Sequence, residues 1–251
     1  MSTPDPEGSN DPQDPEDPED PKDPKDPRRP FDLVICDLDG TLVDSLPDIA
    51  WSLNATLTEA GLPSLPVETV GQYVGDGAAR LIGRALPPSH VGRDPTPLLA
   101  RFLVHYAGHV CVETSLYPGV VALLDALSRH QVAAAVLTNK AGNLARALLK
   151  DLEIADRFVT VLGDGDGFPR KPDPAAARSI IARVGTSPRR TAVVGDGLPD
   201  IKMAQSIPCA VVAAAWGYVP VAALTAESPT FVASSVPQAL RLLLGDLAPA
   251  G

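Results

Sequence analysis

The chain has 251 residues, 45% of them apolar, and carries a formal charge of −10 with a pI near 4.8. That length buries one good core, or one core and a small accessory unit. The acidic balance argues against nonspecific attraction to nucleic acid or anionic membranes, and no apolar run is long enough to span a bilayer.

Residues 1–30 differ from everything after them. Nine are proline, and ten acidic against four basic side chains account for −6 of the total charge. Such a segment has little apolar surface to bury and cannot hydrogen-bond as a helix or central strand, so a disordered, locally polyproline-like tail is expected. It lacks the basic start, apolar stretch and small-residue cleavage site of a secretory signal. Cys36, Cys111 and Cys209 match no zinc spacing, and their odd number suits reduced thiols. A cytoplasmic protein is expected.

Order begins at Phe31. The run 31–36 reads as a short buried strand and ends in Asp37-Leu38-Asp39-Gly40-Thr41. Runs of the same kind follow at 132–137, ending in Thr138-Asn139, and at 191–194, ending in Gly195-Asp196; 159–162 and 210–213 complete a set of five. Between them lie apolar helical faces: Val120, Leu123, Leu124 and Leu127; Leu144, Leu148 and Leu149; Ile180, Ile181 and Val184. Alternation of this kind predicts an α/β fold, a doubly wound Rossmann-like parallel sheet whose ligand crevice lies beyond the carboxyl ends of its strands. The polar clusters at 37–41, 138–139 and 195–196 all fall at those ends.

One interval breaks the rhythm. Residues 46–116, 71 in all, separate the first strand from the helix leading to the second. A crossover needs only about a dozen residues, and structureless loops of this length are rare. The interval patterns as helix around 49–60, 78–86 and 98–110, with no strong strand run, and predicts an inserted all-helical cap over the sheet. The expected division is therefore a tail at 1–30, a core at 31–45 and 117–251, and a cap at 46–116.

The strand ends carry the chemistry. Asp37 and Asp39 stand two apart, and ionising both calls for a cation or a raised pKa on one. A hard ion such as magnesium suits all-oxygen ligation. One carboxylate can attack phosphorus while the other handles the leaving group's proton; the same four residues also make an ordinary turn. Asp196 and Asp200, about one helical turn apart, add a second acidic pair, though Asp196 also suits a helix cap. Thr138 and Asn139 precede a helix near Gly142 whose first amides suit phosphate oxygens. Lys171, in Arg170-Lys171-Pro172-Asp173-Pro174, can neutralise a transferring phosphoryl group or stand as a solvated cation.

Together these segments resemble the haloacid dehalogenase superfamily, and within it the phosphatases with a helical cap after the first strand. Residues 37–45 look like its first motif, Thr138-Asn139 the second, Lys171-Pro172 the third and Gly195 through Asp200 the fourth, in the family's order and across 31–245. The resemblance implies that Asp37 forms an aspartyl-phosphate, that Asp39 protonates the leaving alcohol and then activates water, and that Thr138 and Lys171 hold the phosphoryl group. It implies Mg2+ on Asp37, the Asp39 carbonyl and Asp196, with Asp200 supporting. Gly197 departs from the pattern: many relatives carry Ser or Thr there.

For the substrate, residues 71–81, Asp44 through Asp48, Thr138-Asn139-Lys140 and Trp216-Gly217-Tyr218 resemble phosphoglycolate phosphatases. A carboxylate beside the phosphate needs a cation, and Arg80 or Lys140 suits it. His90, His105 and His109 have no ligand spacing and read as structural or surface residues. The expectation is a magnesium-dependent hydrolase of 2-phosphoglycolate, a monomer or homodimer acting on a small phosphate ester. The alternatives are a phosphatase for a sugar phosphate, nucleotide or pyrophosphate, a phosphoglucomutase, or an interaction protein that works through its tail.

Overall fold

The computed structural model describes residues 30–245 except 91 and 93, so the reading of the tail, Pro30 aside, lies outside the described residues. Six strands form one parallel sheet: β1 (Leu33–Cys36), β4 (Ala133–Ala141), β5 (Val161–Asp164), β6 (Thr191–Gly195), β7 (Ala210–Ala214) and β8 (Phe231–Ala233). Their order is β5-β4-β1-β6-β7-β8. The two remaining strands, β2 (Val43–Asp44) and β3 (Ser115–Leu116), pair antiparallel outside the sheet.

Helices cover both faces. The core carries α5 (Val120–Arg129), α6 (Gly142–Asp151), α7 (Ala175–Val184), α8 (Leu198–Ser206), α9 (Val221–Ala226) and α10 (Val236–Leu244). β1 shows why the sheet is two-sided. Side chains alternate along a strand, so Val34 and Cys36 join one apolar cluster with Leu123 of α5, Leu148 of α6 and Leu243 of α10. Leu33 and Ile35 join another with Ile180 of α7, Ile201 of α8 and Leu224 of α9. Each Leu or Ile removed from water contributes roughly 1.5–3 kcal/mol before the entropy of ordering is counted.

Between β2 and β3 the chain forms α1 (Leu46–Glu59), α2 (Val67–Gly71), α3 (Ala78–Ala85) and α4 (Thr96–Ala107). Leu53 and Phe102 from these helices belong to the same cluster as Val34 and Cys36, so the insertion shares the core of one sheet face. Asp48, fully buried on α1, fastens the returning segment. It accepts hydrogen bonds from the backbone N–H groups of Val112 (3.0 Å), Glu113 (3.0 Å) and Thr114 (2.8 Å), and from the Thr114 hydroxyl (2.7 Å). Burial works to raise its pKa, but these donors prevail and hold the carboxyl below its usual range.

Some boundaries differ from the sequence reading. The 159–162 run enters the regular ladder only at Val161, although the Val159 N–H already donates to the Ala134 carbonyl. β4 continues past Leu137, through Thr138 and Asn139 to Ala141, with a register shift against β5. α2, α9, β2, β3 and β8 have no counterpart in the reading, because two- to six-residue elements are too short to show a period, and the nine-residue α10 is absent from it as well. Among the described residues no helix is long and apolar enough to cross a membrane.

Candidate active site

Three neighbouring strands deliver the polar groups. Cys36 of β1 is level with Val136 of β4 and Val194 of β6. Just beyond that level side chains emerge at one edge: Asp37 one residue on from β1, and Thr138 and Asp196 two residues on from Val136 and Val194. The Asp37 N–H donates to the Val194 carbonyl (2.9 Å), which fixes this alignment.

Lys171, from the loop between β5 and α7, is buried under that edge. Its ammonium lies 2.8 Å from Asp37 Oδ1 and 2.7 Å from Asp200 Oδ1. Burial alone would lower its pKa; Asp200 and Asp37 outweigh that and push it up, so it stays charged. The Leu38 N–H donates to the same Asp37 Oδ1 (2.7 Å). Among the described residues both contacts fall on that oxygen, and Oδ2 faces no protein donor.

Asp196 is held by parts of the chain far apart in sequence. The Thr41 hydroxyl donates to Asp196 Oδ1 (3.0 Å) and accepts from the Asp196 N–H (3.1 Å). The Tyr218 N–H donates to Oδ2 (2.8 Å), and the Trp216 indole donates to the Thr41 carbonyl (3.1 Å). Gly40, at φ +78°, and Gly217 press so close to this carboxylate that a Cβ at either position would collide with it. Burial, and then the charge of Asp37, push the Asp196 carboxyl up to about 7. The Tyr218 hydroxyl accepts from the N–H groups of Ser45 (2.9 Å) and Leu46 (3.0 Å), at the start of α1.

The four acids named from sequence converge on this edge but do not form one cage. Asp39 turns its side chain toward the insertion, where Oδ1 accepts from the Ser45 hydroxyl (2.5 Å) and lies 2.8 Å from Lys140 Nζ. Asp200 spends its oxygens on Lys171 and on the Gly197 N–H (3.2 Å). Asp200 is thus the acid at the start of α8, rather than Asp196, and Gly197 supplies a backbone donor. Among the described residues no three His, Cys, Asp or Glu side chains group as a metal site. What remains is the Asp37 and Asp196 carboxylates and main-chain oxygen. Magnesium commonly takes one or two carboxylates and fills its shell with water and phosphate, so this pair suits it, and a cation would offset the crowding that raises Asp196.

The other sequence candidates divide. Thr138 and Lys140 line the cavity above Asp37. The Thr138 hydroxyl oxygen accepts from the Lys140 N–H (3.2 Å), so its own proton can be offered elsewhere. Asn139 also lines the cavity, but its amide clamps the carbonyls of Gly75 (3.0 Å) and Lys171 (3.2 Å), and among the described residues its buried Oδ1 has no partner. Arg80 is exposed on α3 and lines no part of the cavity; one turn on, Arg84 borders the open crevice instead, paired to Asp76. The expected phosphate amides of α6 start at Gly142, where the Asp166 carboxylate already sits. His105 and His109 pack on Trp51, away from the cavity.

Sequence reasoning missed Thr41, Ser45 and Tyr218 as supports, though all stand in segments that carried the resemblance. It also missed Tyr106 of α4, which takes a hydrogen bond from Lys140. A lone tyrosine on a helix gives no sequence signal. The space above Asp37, counted together with its mouth open to solvent, is about 570 Å3.

Comparison with known proteins gives the chain a family. Residues 31–207 match the haloacid dehalogenase-like hydrolases. A phosphoglycolate phosphatase of Rhodospirillum rubrum is 42% identical over 202 residues, 77% of this chain and 84% of that protein. One from Haemophilus influenzae is 36% identical over 221 residues, 85% of this chain and 98% of that protein. A solved structure described as a predicted phosphoglycolate phosphatase of Haemophilus somnus superposes with a TM-score of 0.76 at 30% identity, covering 84% of this chain and 97% of that one. A Lactobacillus delbrueckii structure gives 0.80 at 23% identity, over 86% and 99%, and speaks to the fold alone.

Proposed function

The chain belongs to the haloacid dehalogenase-like hydrolases, and from that premise we propose that this phosphatase hydrolyses 2-phosphoglycolate to glycolate and phosphate through an aspartyl-phosphate on Asp37. The observation that carries the reading is the Asp37 carboxylate itself, tethered through one oxygen by Lys171 and Leu38 and open at the other.

In this mechanism the open oxygen of Asp37 attacks phosphorus and the bond to the glycolate oxygen breaks. Asp39 gives its proton to that oxygen as it leaves. It then takes a proton from the water that attacks the phosphoenzyme, and Asp37 is released. Lys171 and the Thr138 hydroxyl hold the phosphoryl oxygens as their charge grows, from fixed and mostly buried positions. The Asp37 and Asp196 carboxylates with the Asp39 carbonyl would hold Mg2+, which supplies positive charge to the phosphoryl oxygens. The inserted helices act as the cap that excludes water from the phosphoenzyme. The cations proposed for the substrate carboxylate are Lys140 and Arg80, and the placement of their side chains favours Lys140.

The test is phosphate release from 2-phosphoglycolate, sugar phosphates, a nucleotide and pyrophosphate, with magnesium and with chelator. A lead of about 100-fold in kcat/KM for 2-phosphoglycolate, ~2.7 kcal/mol, is expected, with loss of activity in chelator. A flat profile, or another ester in the lead, overturns the substrate. Undiminished turnover in chelator overturns the metal.

A further inference from the structure

The cavity above Asp37 has an uneven lining. Ile49, Val74, Leu81, Phe102 and Leu103 come from the insertion, and Leu144 from the core. Against these apolar walls stands one cationic side chain, Lys140. Among the described residues Arg80 lines no part of the cavity, and the other cations bordering the site pair with neighbouring acids. Lys171 is held between Asp37 and Asp200. Arg84 pairs with Asp76, Arg170 with Asp164 and Lys202 with Glu227.

Lys140 does not act alone. Its ammonium donates to the Tyr106 hydroxyl and lies 4.4 Å from the centre of that ring. Tyr106 is 2% exposed, and burial, followed by the charges of Asp39 and Asp48, keeps its phenol protonated. The phenol oxygen accepts from Lys140 and also neighbours the Ser45 hydroxyl, whose own proton goes to Asp39, so the phenol proton can be given to an acceptor in the cavity. An ammonium and a hydroxyl then stand side by side, the first from the strand carrying Thr138 and the second from the insertion. Two converging donors fit the two oxygens of a carboxylate.

We propose that Lys140 and Tyr106 together form the receptor for the second charged group of the substrate, restricting the enzyme to short phosphate esters that carry a carboxylate. The inference rests on the phosphatase reading of the same site. The apolar walls work in the same direction: the hydroxyls of a sugar phosphate would lose water there and find no partner. Tyr106 lies on the insertion and Lys140 on the core, so the receptor is complete only while the two are packed together. Both are specificity residues, and Lys140 also steadies Asp39 at 2.8 Å.

The experiment compares 2-phosphoglycolate with 2-hydroxyethyl phosphate, matched in length but without the carboxylate, in the full-length enzyme with magnesium. The readout is the ratio of the two kcat/KM values in wild type, Tyr106→Phe and Lys140→Met, with melting curves to confirm folding. Wild type is expected to favour 2-phosphoglycolate by about 100-fold. Tyr106→Phe, which keeps the ring, should cut that ratio about tenfold, and Lys140→Met should bring it near parity, mostly through KM. The constant for inhibition by glycolate should weaken in the same order, a second reading if either variant turns over slowly. If wild type keeps its preference and both variants keep it too, the receptor is wrong while the phosphatase reading stands. A collapse in Arg84→Gln instead would move the receptor to the open crevice and equally overturn the proposal. If wild type shows no preference for the carboxylate, receptor and substrate fall together.

Discussion

The floor and the roof of this site are built on opposite plans. On the floor Asp37, Asp196, Asp200 and Lys171 are buried together, almost every oxygen and proton engaged by a partner of opposite character. The roof, from α1, α3 and α4, is apolar apart from Tyr106. A densely bonded floor fixes atoms in place, which bond-making at phosphorus requires. A greasy roof fixes little but removes water and leaves hydroxyl-rich ligands unsatisfied. In the proposed mechanism the chemistry is carried by the floor and the selection by the roof.

The largest expected effect removes the proposed nucleophile from the floor. Asp37→Asn should lower turnover by at least about 10⁴-fold, ~5.5 kcal/mol, with no fall in melting temperature, since it takes a charge out of an acidic cluster. Wild-type turnover in a contaminant-free preparation of this variant would end the mechanism. Next comes Lys171→Met, which strands Asp37 and Asp200 without their shared cation. A destabilisation of about 3–5 kcal/mol is expected, as for one partner removed from a buried pair. Urea unfolding measures it, and an unchanged midpoint would mean that the floor is not held by this ammonium.

The roof offers a smaller effect with its own pH signature. Asp48→Asn replaces an acceptor of four donors and should cost roughly 1–3 kcal/mol. The folded-state pKa of Asp48 is lowered, so its contribution is fully present above the ordinary carboxylate pKa and disappears as the pH falls through the folded value. Melting curves against pH should therefore converge for wild type and variant on the acid side. Parallel curves would assign the loss to shape rather than charge. Smallest of all, deletion of residues 1–29 should change kcat/KM by less than about twofold, ~0.4 kcal/mol. A larger drop would draw the tail into the comparison as a third region.

The floor was legible because each of its parts is local. Asp37 with Asp39, Thr138 with Asn139, and Asp196 with Asp200 are short segments that each follow a run of strand-forming residues, and Lys171 with Pro172 is a short segment just before a helix. The roof was legible only as helix. Nothing in the periodicity of α4 distinguishes Tyr106 from any other buried aromatic, and its partner Lys140 is 34 positions away. Arg80 and Arg84 lie one turn apart on α3, and only the docking of that helix decides which of them meets the crevice. The clasp of Asp48 on residues 112–114 crosses more than sixty positions and leaves no trace in spacing. The pairing of β2 with β3 fails to show for a different reason, since two residues carry no period.

The tight packing around Asp196 bears on which sequences this fold can accept. Gly40 and Gly217 reach the same carboxylate from positions 177 apart in the chain, and neither leaves room for a single methyl group. Drift at either is closed unless the carboxylate moves, and a second substitution at the other would compound the clash rather than relieve it. Gly197 is different. Its φ of −108° is open to any residue, and a Cβ there would stand 3.1 Å from Asp200 Oδ2 and 3.3 Å from Pro199 Cδ, a tight fit that small shifts of those neighbours would relieve. Gly40 and Gly217 thus close their positions around Asp196 to any side chain, while Gly197, beside Asp200, can take one if its neighbours give slightly.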